Sequence, residues 1–165
     1  FDHNNVSALK GDPFVIKNAG EYDVSGVMVQ GVDSYHDDQE GGERGKNIIY
    51  RIDMDNISVS HAGDLGHTLD NKQLEVLAGT DILMLPIGGV YTIDAKKAAE
   101  VVSQVQPRMI IPMHYSIPGL KVDIDGAEKF IKEMALKPTY EDKLKIQKKD
   151  LPQEDMELVI MNCQS

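Results

Sequence analysis

The sequence predicts an α/β fold, because short apolar strands come first in series and a strand–helix alternation follows. Asp94 is a natural N-cap for a helix that ends at Val105. The apolar stripe of this helix has the spacing of one helix face and consists of Ala98, Val101, Val102 and Val105. The 165 residues are 41% hydrophobic and 27% charged, which is typical of a folded domain with its own core. We interpret residues 1–165 as one domain.

The first half of the chain predicts strands and turns. Apolar runs and alternating patterns predict a strand at residues 13–16, a hairpin at residues 24–32, and strands at residues 48–54 and 57–60. Ser25-Gly26 is the predicted turn of the hairpin, and Asp55-Asn56 is the predicted turn between the last two strands. Residues 33–46 are polar and glycine-rich, so we predict a loop there.

The second half alternates strands with helices. Asp70 is a natural N-cap for a helix over residues 71–77, which precedes the helix capped by Asp94. The remaining predicted elements are strands at residues 82–85, 109–112 and 158–161 and a helix at residues 125–136. This alternation brings successive strands side by side in one sheet.

Charge and cysteine content indicate which classes of partner and which cellular compartment the sequence favours. The net charge is −10, and the basic run at residues 143–149 lies among acidic residues as a solvated edge, so nucleic acid and an anionic membrane are not favoured. No apolar run reaches membrane-spanning length. Cys163 is the one cysteine and cannot form an internal disulfide, which suits a reducing cytoplasm. We therefore expect a cytoplasmic protein with a small-molecule substrate, and a homo-oligomer is compatible with the sequence.

Histidines and neighbouring carboxylates are the residues that carry chemistry. The sequence contains five histidines, most of them at predicted strand ends or in the loops that follow: His3, His36, His61, His67 and His114. Asp2 and Asp64 lie in the same short segments. Imidazole with carboxylate is the ligand set of Zn, Mn and Fe(II). A single histidine is more often an ordinary surface or core residue, so the prediction of a metal site depends on the set.

Four short motifs that contain these residues occur in order along the chain. They are Phe1-Asp2-His3-Asn4-Asn5, Ser34-Tyr35-His36, His61-Ala62-Gly63-Asp64-Leu65-Gly66 and Ile111-Pro112-Met113-His114-Tyr115. The order resembles that of the metallo-β-lactamase superfamily, which has H-x-H-x-D-H, then a lone His, a Gly-Asp and a C-terminal His. Leu85-Pro86-Ile87-Gly88-Gly89 is similar to the small branch that includes L-ascorbate-6-phosphate lactonase and uncharacterised hydrolases. The resemblance covers roughly residues 1–120.

The resemblance implies an α/β-β/α sandwich of which this sequence holds the later part. The two histidines of H-x-H would precede Phe1, so we expect the N-terminal strands and the first half of the first motif to lie upstream of this sequence. We expect about 45–60 further residues upstream, given usual element lengths. They should end in His-x-His.

The resemblance also implies the metal ligands. Asp2, His3, Asp64 and His114 would form one site, and His36 with the bridging Asp64 would belong to the other. Two ions, most simply zinc with manganese or iron as alternatives, would share a hydroxide that Asp2 orients. Asp2 and Asp64 are therefore the predicted catalytic residues. The predicted activity is hydrolysis of an ester, lactone or phosphoester of a small metabolite.

Three further residues near the motifs each have two interpretations. His61 either supports the metal ligands without binding the metal itself or is a strand-end histidine hydrogen-bonded to the backbone. His67 is either a proton donor to a leaving group or an exposed histidine at a helix entry. Tyr115 either donates a hydrogen bond to an oxyanion or packs as an aromatic side chain.

Two other functions are compatible with the same motifs. One is a phosphodiesterase or nuclease on the same fold, which the acidic balance of the chain disfavours. The other is a non-catalytic relative that serves as a binding module.

Overall fold

A computed structural model describes residues 9–163, which fold into eight strands, three α-helices and one 3-10 turn. The elements in chain order are β1 (Gly20–Val24), β2 (Val27–Tyr35), β3 (Lys46–Met54), β4 (Ile57–His61), α1 (Asn71–Leu77), β5 (Ile82–Pro86), α2 (Ala95–Val105), β6 (Met109–Met113), α3 (Ala127–Met134), β7 (Thr139–Glu141), the 3-10 turn (Lys148–Asp150) and β8 (Glu157–Met161). Among the described residues, no helix combines the length and the hydropathy that a bilayer crossing requires.

The strands form one mixed sheet in the order β1-β2-β3-β4-β5-β6-β8-β7. Neighbours from β1 to β4 are antiparallel, and all pairs from β4 onward are parallel. Strands β2, β4, β5 and β6 therefore run in the same direction. Their carboxyl ends meet at one edge of the sheet, here called the carboxyl edge, and the loops that follow them lie close together.

The main core lies between the sheet and the three helices. Every second side chain along a strand points toward the helices. Leu83 and Leu85 are examples, and both are 0% exposed. Apolar helix positions meet them, including Leu77 of α1, Val101 of α2 and Phe130 of α3. The predicted stripe of α2 faces this core. Burying these side chains is the main source of the fold's stability.

The opposite face of the sheet is apolar and less well covered. Ile82, Met109 and Val159 are buried there beneath Leu151. Farther along this face, apolar side chains are only half-buried among the described residues: Ile48, Ile52, Val59, Met84 and Ile111. An apolar sheet face packs against a second layer in stable domains.

The predicted caps and turns are confirmed. The side chain of Asp70 accepts a hydrogen bond from the N–H of Gln73, and α1 begins at the next residue. Asp94 caps α2 in the same way. In the two turns, Ser25-Gly26 and Asp55-Asn56, all four residues have a positive φ between 51° and 83°. Tight hairpin turns require this conformation.

Several predicted elements and element boundaries were wrong. Residues 13–16 form no strand, because their side chains are mostly exposed and no neighbouring strand pairs with them. The predicted loop at residues 33–46 contains the end of β2, where Ser34 is fully buried and its hydroxyl accepts a hydrogen bond from Asn47. The helix predicted at residues 125–136 is shorter, since α3 begins after Gly126. Neither β7 nor the 3-10 turn was predicted.

Candidate metal centre

The candidate site lies at the carboxyl edge. His36 follows β2, the loop that carries Asp64 follows β4, and His114 follows β6. The register pairs His61 with Met84 and Pro86 with Met113, so these strand ends are level with one another. Three predicted ligands that are far apart in sequence therefore emerge from the same edge of one sheet.

His36 and Asp64 are in direct contact. The distance from His36 Nε2 to Asp64 Oδ2 is 3.5 Å, and the side chains are 16% and 28% exposed. Two ligands of one tetrahedral ion, each about 2.1 Å from it, lie about 3.4 Å apart. The observed separation fits two ligands of one shared metal ion. An imidazole and a carboxylate also form the donor set that zinc accepts.

His114 occupies a constrained position at the end of β6. Its φ is +52°, a left-handed conformation that is uncommon for a residue with a Cβ and costs about 1 kcal/mol or more. Its Nδ1 is buried and has no hydrogen-bond partner within residues 9–163. Gly88 fixes the adjoining backbone, because a Cβ at this position would lie 2.2 Å from the carbonyl oxygen of His114. The histidine is therefore held in a strained position with a ring nitrogen that has no hydrogen-bond partner among the described residues.

The other two predicted ligands, Asp2 and His3, lie outside the described residues. Within residues 9–163, no three His, Cys, Asp or Glu side chains are grouped closely enough to hold a metal. His36 and Asp64 are the pair that the structure brings together, and His114 shares their edge.

The loop after His36 is organised by Asp37, which is 2% exposed. One carboxylate oxygen accepts hydrogen bonds from the N–H groups of Gln39 and Gly41, at 2.9 and 2.8 Å. The other accepts from Glu43 and Arg44, at 3.0 and 2.6 Å. The loop thus wraps around the carboxylate next to His36. Burial raises the pKa of Asp37, but the four backbone donors, Arg44 foremost, outweigh it and lower the pKa to about 2.

The depressed pKa of Asp37 predicts acid sensitivity. The unfolded chain binds a proton at Asp37 near the ordinary pKa of 3.8, and the folded protein only near about 2. The stability that this group contributes is therefore present above pH ~4 and is lost as the pH falls through ~2. We expect Asp37→Asn to lower the free energy of unfolding at pH 7 and to flatten its decline between pH 4 and 2.

Urea unfolding at pH 7, 4, 3 and 2.5 measures this effect. Asp155→Asn, at an exposed position, is the control and should follow the wild type. Parallel acid curves for Asp37→Asn and the wild type would contradict the role of the loop carboxylate.

Gly66 brings the His36 loop and the Asp64 loop together. A Cβ at this position would lie 2.3 Å from both the carbonyl carbon of His36 and the backbone nitrogen of Asp37. The N–H of Gly66 donates to the carbonyl oxygen of Tyr35 at 2.9 Å. Only a glycine allows the two backbones to approach so closely, and this approach places the His36 imidazole against Asp64.

His61 is bound to its own loop. Its Nδ1 accepts a hydrogen bond from the N–H of Gly63 at 3.1 Å. Burial lowers the pKa of His61, and the nearby carboxylate of Asp64 opposes this shift. The contact matches the interpretation of His61 as a strand-end histidine bound to backbone.

Tyr115 packs against the main core. Burial is the main cause that raises the pKa of its hydroxyl, and the proximity of Cys163 and Tyr140 raises it further. These neighbours place the ring toward the end of β8 and favour packing over a role at the metal centre.

His67 binds backbone groups through both ring nitrogens. Nε2 accepts from the N–H of Tyr35 at 3.1 Å, and Nδ1 lies 2.7 Å from the carbonyl oxygen of Thr68. A carbonyl can only accept, so Nδ1 is the donor of this contact while Nε2 is the acceptor of the other. Neither nitrogen is available to protonate a leaving group in this conformation.

We expect His67→Ala to be a structural change. Two hydrogen bonds of about 1 kcal/mol each are lost, so stability should fall by about 1–2 kcal/mol. Metal content should stay unchanged, and kcat should change by no more than a few-fold. Metal analysis, urea unfolding and steady-state kinetics on the same preparation measure all three. A fall in kcat of about 10²-fold or more at unchanged stability would identify a general acid instead.

A cleft in the described part of the chain lies away from the metal centre. Its volume is about 480 Å³, and it is lined by residues at the amino ends of β4 and β5, including Ser58 and Asp81. Four of its charged groups form ion pairs: Lys148 Nζ lies 2.7 Å from the Asp81 carboxylate, and Arg51 binds Asp53. Lys148 is exposed, as predicted for this solvated edge, and its ammonium also pairs with Asp81. The cleft and the metal centre are at opposite edges.

Comparison with known proteins agrees with this architecture. The family model of a beta-lactamase superfamily domain matches residues 1–114. The chain belongs to the metallo-β-lactamase superfamily. The match includes all four motifs up to His114 and therefore confirms the predicted family.

Curated relatives in this superfamily carry a common name. The UPF0173 metal-dependent hydrolase of Thermococcus onnurineus is 34% identical over 121 residues, which are 72% of this chain and 54% of that protein. The Pyrococcus abyssi protein of the same name is 32% identical over 140 residues, or 81% of this chain and 62% of the relative. The chain thus spans little more than half the length of these relatives.

Solved structures support the fold. A crystal structure from Thermotoga maritima, described as that of a candidate Zn-dependent hydrolase of the metallo-beta-lactamase superfamily, superposes with a TM-score of 0.79 at 34% identity. It covers 96% of this chain and 77% of that one. A metal-dependent hydrolase candidate from Parabacteroides distasonis superposes with a TM-score of 0.59 at 17% identity, over 91% of this chain and 58% of that one. The second likeness concerns the fold alone. The predicted α/β fold of this superfamily is confirmed.

Proposed function

We propose that the complete protein is a zinc-dependent hydrolase of small metabolites and that His36, Asp64 and His114 hold metal. The 3.5 Å approach of His36 Nε2 to Asp64 Oδ2 carries the proposal. It occurs at the carboxyl edge, where sheets of this class commonly carry their reactive groups. The names of the relatives as metal-dependent hydrolases support the same reaction class.

The donor set supports zinc. Imidazole and carboxylate ligands, without a thiolate, are typical of catalytic zinc sites and also suit Mn and Fe(II). When bound, the metal supplies Lewis acidity and lowers the pKa of a coordinated water toward neutrality. Asp2 and His3 remain the proposed ligands that complete the centre, with Asp2 orienting the attacking water.

The described residues contribute binding and rigidity. Asp64 brings a negative charge that offsets the cation, and His36 approaches it from a separate loop. Asp37 fixes the shape of that loop through four backbone hydrogen bonds. Ligands held in place before the metal binds lose little entropy on binding, and a fixed metal keeps the substrate oriented.

Charge and donor chemistry support the proposed substrate class. A net charge of −10 disfavours polyanionic nucleic acid, whereas a small ester, lactone or phosphoester can reach a metal centre in an acidic protein. We place the protein in the cytoplasm, because one cysteine in 165 residues cannot form an internal disulfide.

A substrate panel with metal control tests the proposal. The complete protein is freed of metal, reloaded with Zn, Mn or Fe(II), and assayed on carboxyl esters, lactones, thioesters, phosphomonoesters, phosphodiesters and nucleic acid. We expect turnover of a small ester, lactone or phosphoester that chelation abolishes and zinc restores. Turnover confined to nucleic acid would identify a nuclease. Zinc binding with no turnover of any class would identify a binding module.

A further inference from the structure

Asn47 lies at the start of β3, beside the loop that carries Asp64. Its Oδ1 accepts a hydrogen bond from the N–H of Asp64 at 3.0 Å. Its Nδ2 donates to the hydroxyl oxygen of Ser34 and to the carbonyl oxygen of Ala62, both at 2.8 Å. One side chain therefore joins the end of β2 to the backbone on both sides of Gly63.

The two backbone partners determine the orientation of the Asn47 amide. The carbonyl of Ala62 can only accept, and the N–H of Asp64 can only donate, so the oxygen must face Asp64. An aspartate would put a second acceptor against the Ala62 carbonyl. A leucine of similar size would make none of the three bonds. An asparagine supplies the acceptor and the donors at this spacing.

Gly63 allows the loop to lie against Asn47. Its φ is +60°, and a Cβ there would lie 2.3 Å from Asn47 Oδ1. The carboxamide occupies the space that a side chain at position 63 would need. The loop conformation and the asparagine are therefore matched to each other.

We infer that Asn47 is the positioning residue of the metal centre, an inference that rests on the proposed function. By holding the N–H of Asp64, Asn47 sets the direction from which the carboxylate meets His36 at 3.5 Å. Asn47 binds the backbone of a ligand residue and does not itself bind the metal. Removing an outer partner of this kind typically weakens metal affinity 10- to 100-fold.

Metal titration of Asn47→Leu in the complete protein tests the inference. Cobalt is added while its visible spectrum is recorded, and zinc then competes for the site. We expect cobalt and zinc affinities 10- to 100-fold weaker than in the wild type, with an altered cobalt spectrum. Wild-type affinity and an unchanged spectrum would overturn the inference.

Gln73→Met is the matched control. Gln73 is a buried amide that, like Asn47, bonds backbone groups: it accepts from the N–H of Asp70 at 3.0 Å and donates to the carbonyl of Asp33 at 3.0 Å. The substitution should lower stability while metal affinity stays within about 2- to 3-fold of wild type. An equal loss of affinity in both variants would show a general effect of instability and would overturn the inference.

Asn47→Asp keeps the test decisive if the leucine variant does not fold. It retains an oxygen for the N–H of Asp64 and loses both donors. Its added negative charge alone would tighten cation binding, whereas loss of positioning predicts binding about 3- to 10-fold weaker. Tighter binding would contradict the inference.

Hydrogen exchange at the Asp64 amide separates this inference from the proposed function. The N–H of Asp64 depends on Asn47, whereas the N–H of Gly66 depends on the backbone of Tyr35. In either Asn47→Leu or a smaller Asn47→Ala, exchange at Asp64 should accelerate at least 10-fold more than at Gly66. A wild type that binds no metal would refute the proposed function, and equal exchange at the two amides would refute the positioning.

Discussion

Asp64→Ala in the complete protein should lower turnover by about 10³-fold or more and weaken metal binding at both predicted sites. Asp64 contacts His36 at 3.5 Å and supplies the negative charge of that pair. Residues 62–69 contain no other acid that could replace it. Metal analysis and steady-state kinetics on the same preparation measure the two effects.

Asp70→Ala is the matched control for this change. Asp70 follows on the same segment and caps α1 through a capping box. Its removal should lower stability by about 1 kcal/mol and leave metal content unchanged. An Asp64→Ala protein with normal metal content and turnover would refute the proposed mechanism.

Gly66→Ala should have the largest effect on the site without altering any ligand. The added methyl group would meet the backbone of His36 and Asp37 at 2.3 Å, and backbone atoms cannot move aside as a flexible side chain would. Overpacking of this kind costs about 1–3 kcal/mol, and we expect the upper end of that range or more. The His36 loop must also move away from Asp64, so metal affinity should fall at least 10-fold.

Gly79→Ala separates this contact from the ordinary cost of replacing a glycine. Gly79 has φ +76° and open space around its Cβ position, so alanine there costs about 1–2 kcal/mol of backbone strain alone. Urea unfolding and cobalt titration compare the two variants. Equal effects on stability and on affinity would show that the two loops do not depend on Gly66.

Local signals predicted much of the fold. Asp70 and Asp94 marked the starts of α1 and α2, because a side-chain cap satisfies backbone donors within three residues of itself. Asp55-Asn56 marked the turn between β3 and β4, since both residues tolerate positive φ. Such features depend on neighbours in the sequence and are visible before the chain is folded.

Other features depend on contacts between distant segments. The end of β2 appeared as loop because Asp33 and Ser34 are polar, but Ser34 is buried against Asn47, thirteen residues away. Strand β7 has three exposed residues and no apolar alternation. Local propensity cannot indicate such elements, because the strand they pair with decides them.

The candidate site likewise contains residues that the sequence predicted and residues that it did not. His36, Asp64 and His114 were predicted as ligands from their motifs, whereas Asp37, Asn47 and Gly66 were not singled out. Asp37 and Gly66 act through backbone groups, and Asn47 binds a loop that follows another strand. Sequence alone gives residue types that can ligate a metal, while the residues that orient them become visible only in the fold.

Anomalous scattering from a zinc-loaded crystal of the complete protein tests the central claim most directly. The account predicts a zinc peak within about 2.2 Å of both His36 Nε2 and an Asp64 carboxylate oxygen, with the imidazole of His114 bound at the same centre. Zinc bound elsewhere, or a His114 ring that contacts no metal in the loaded protein, would contradict it.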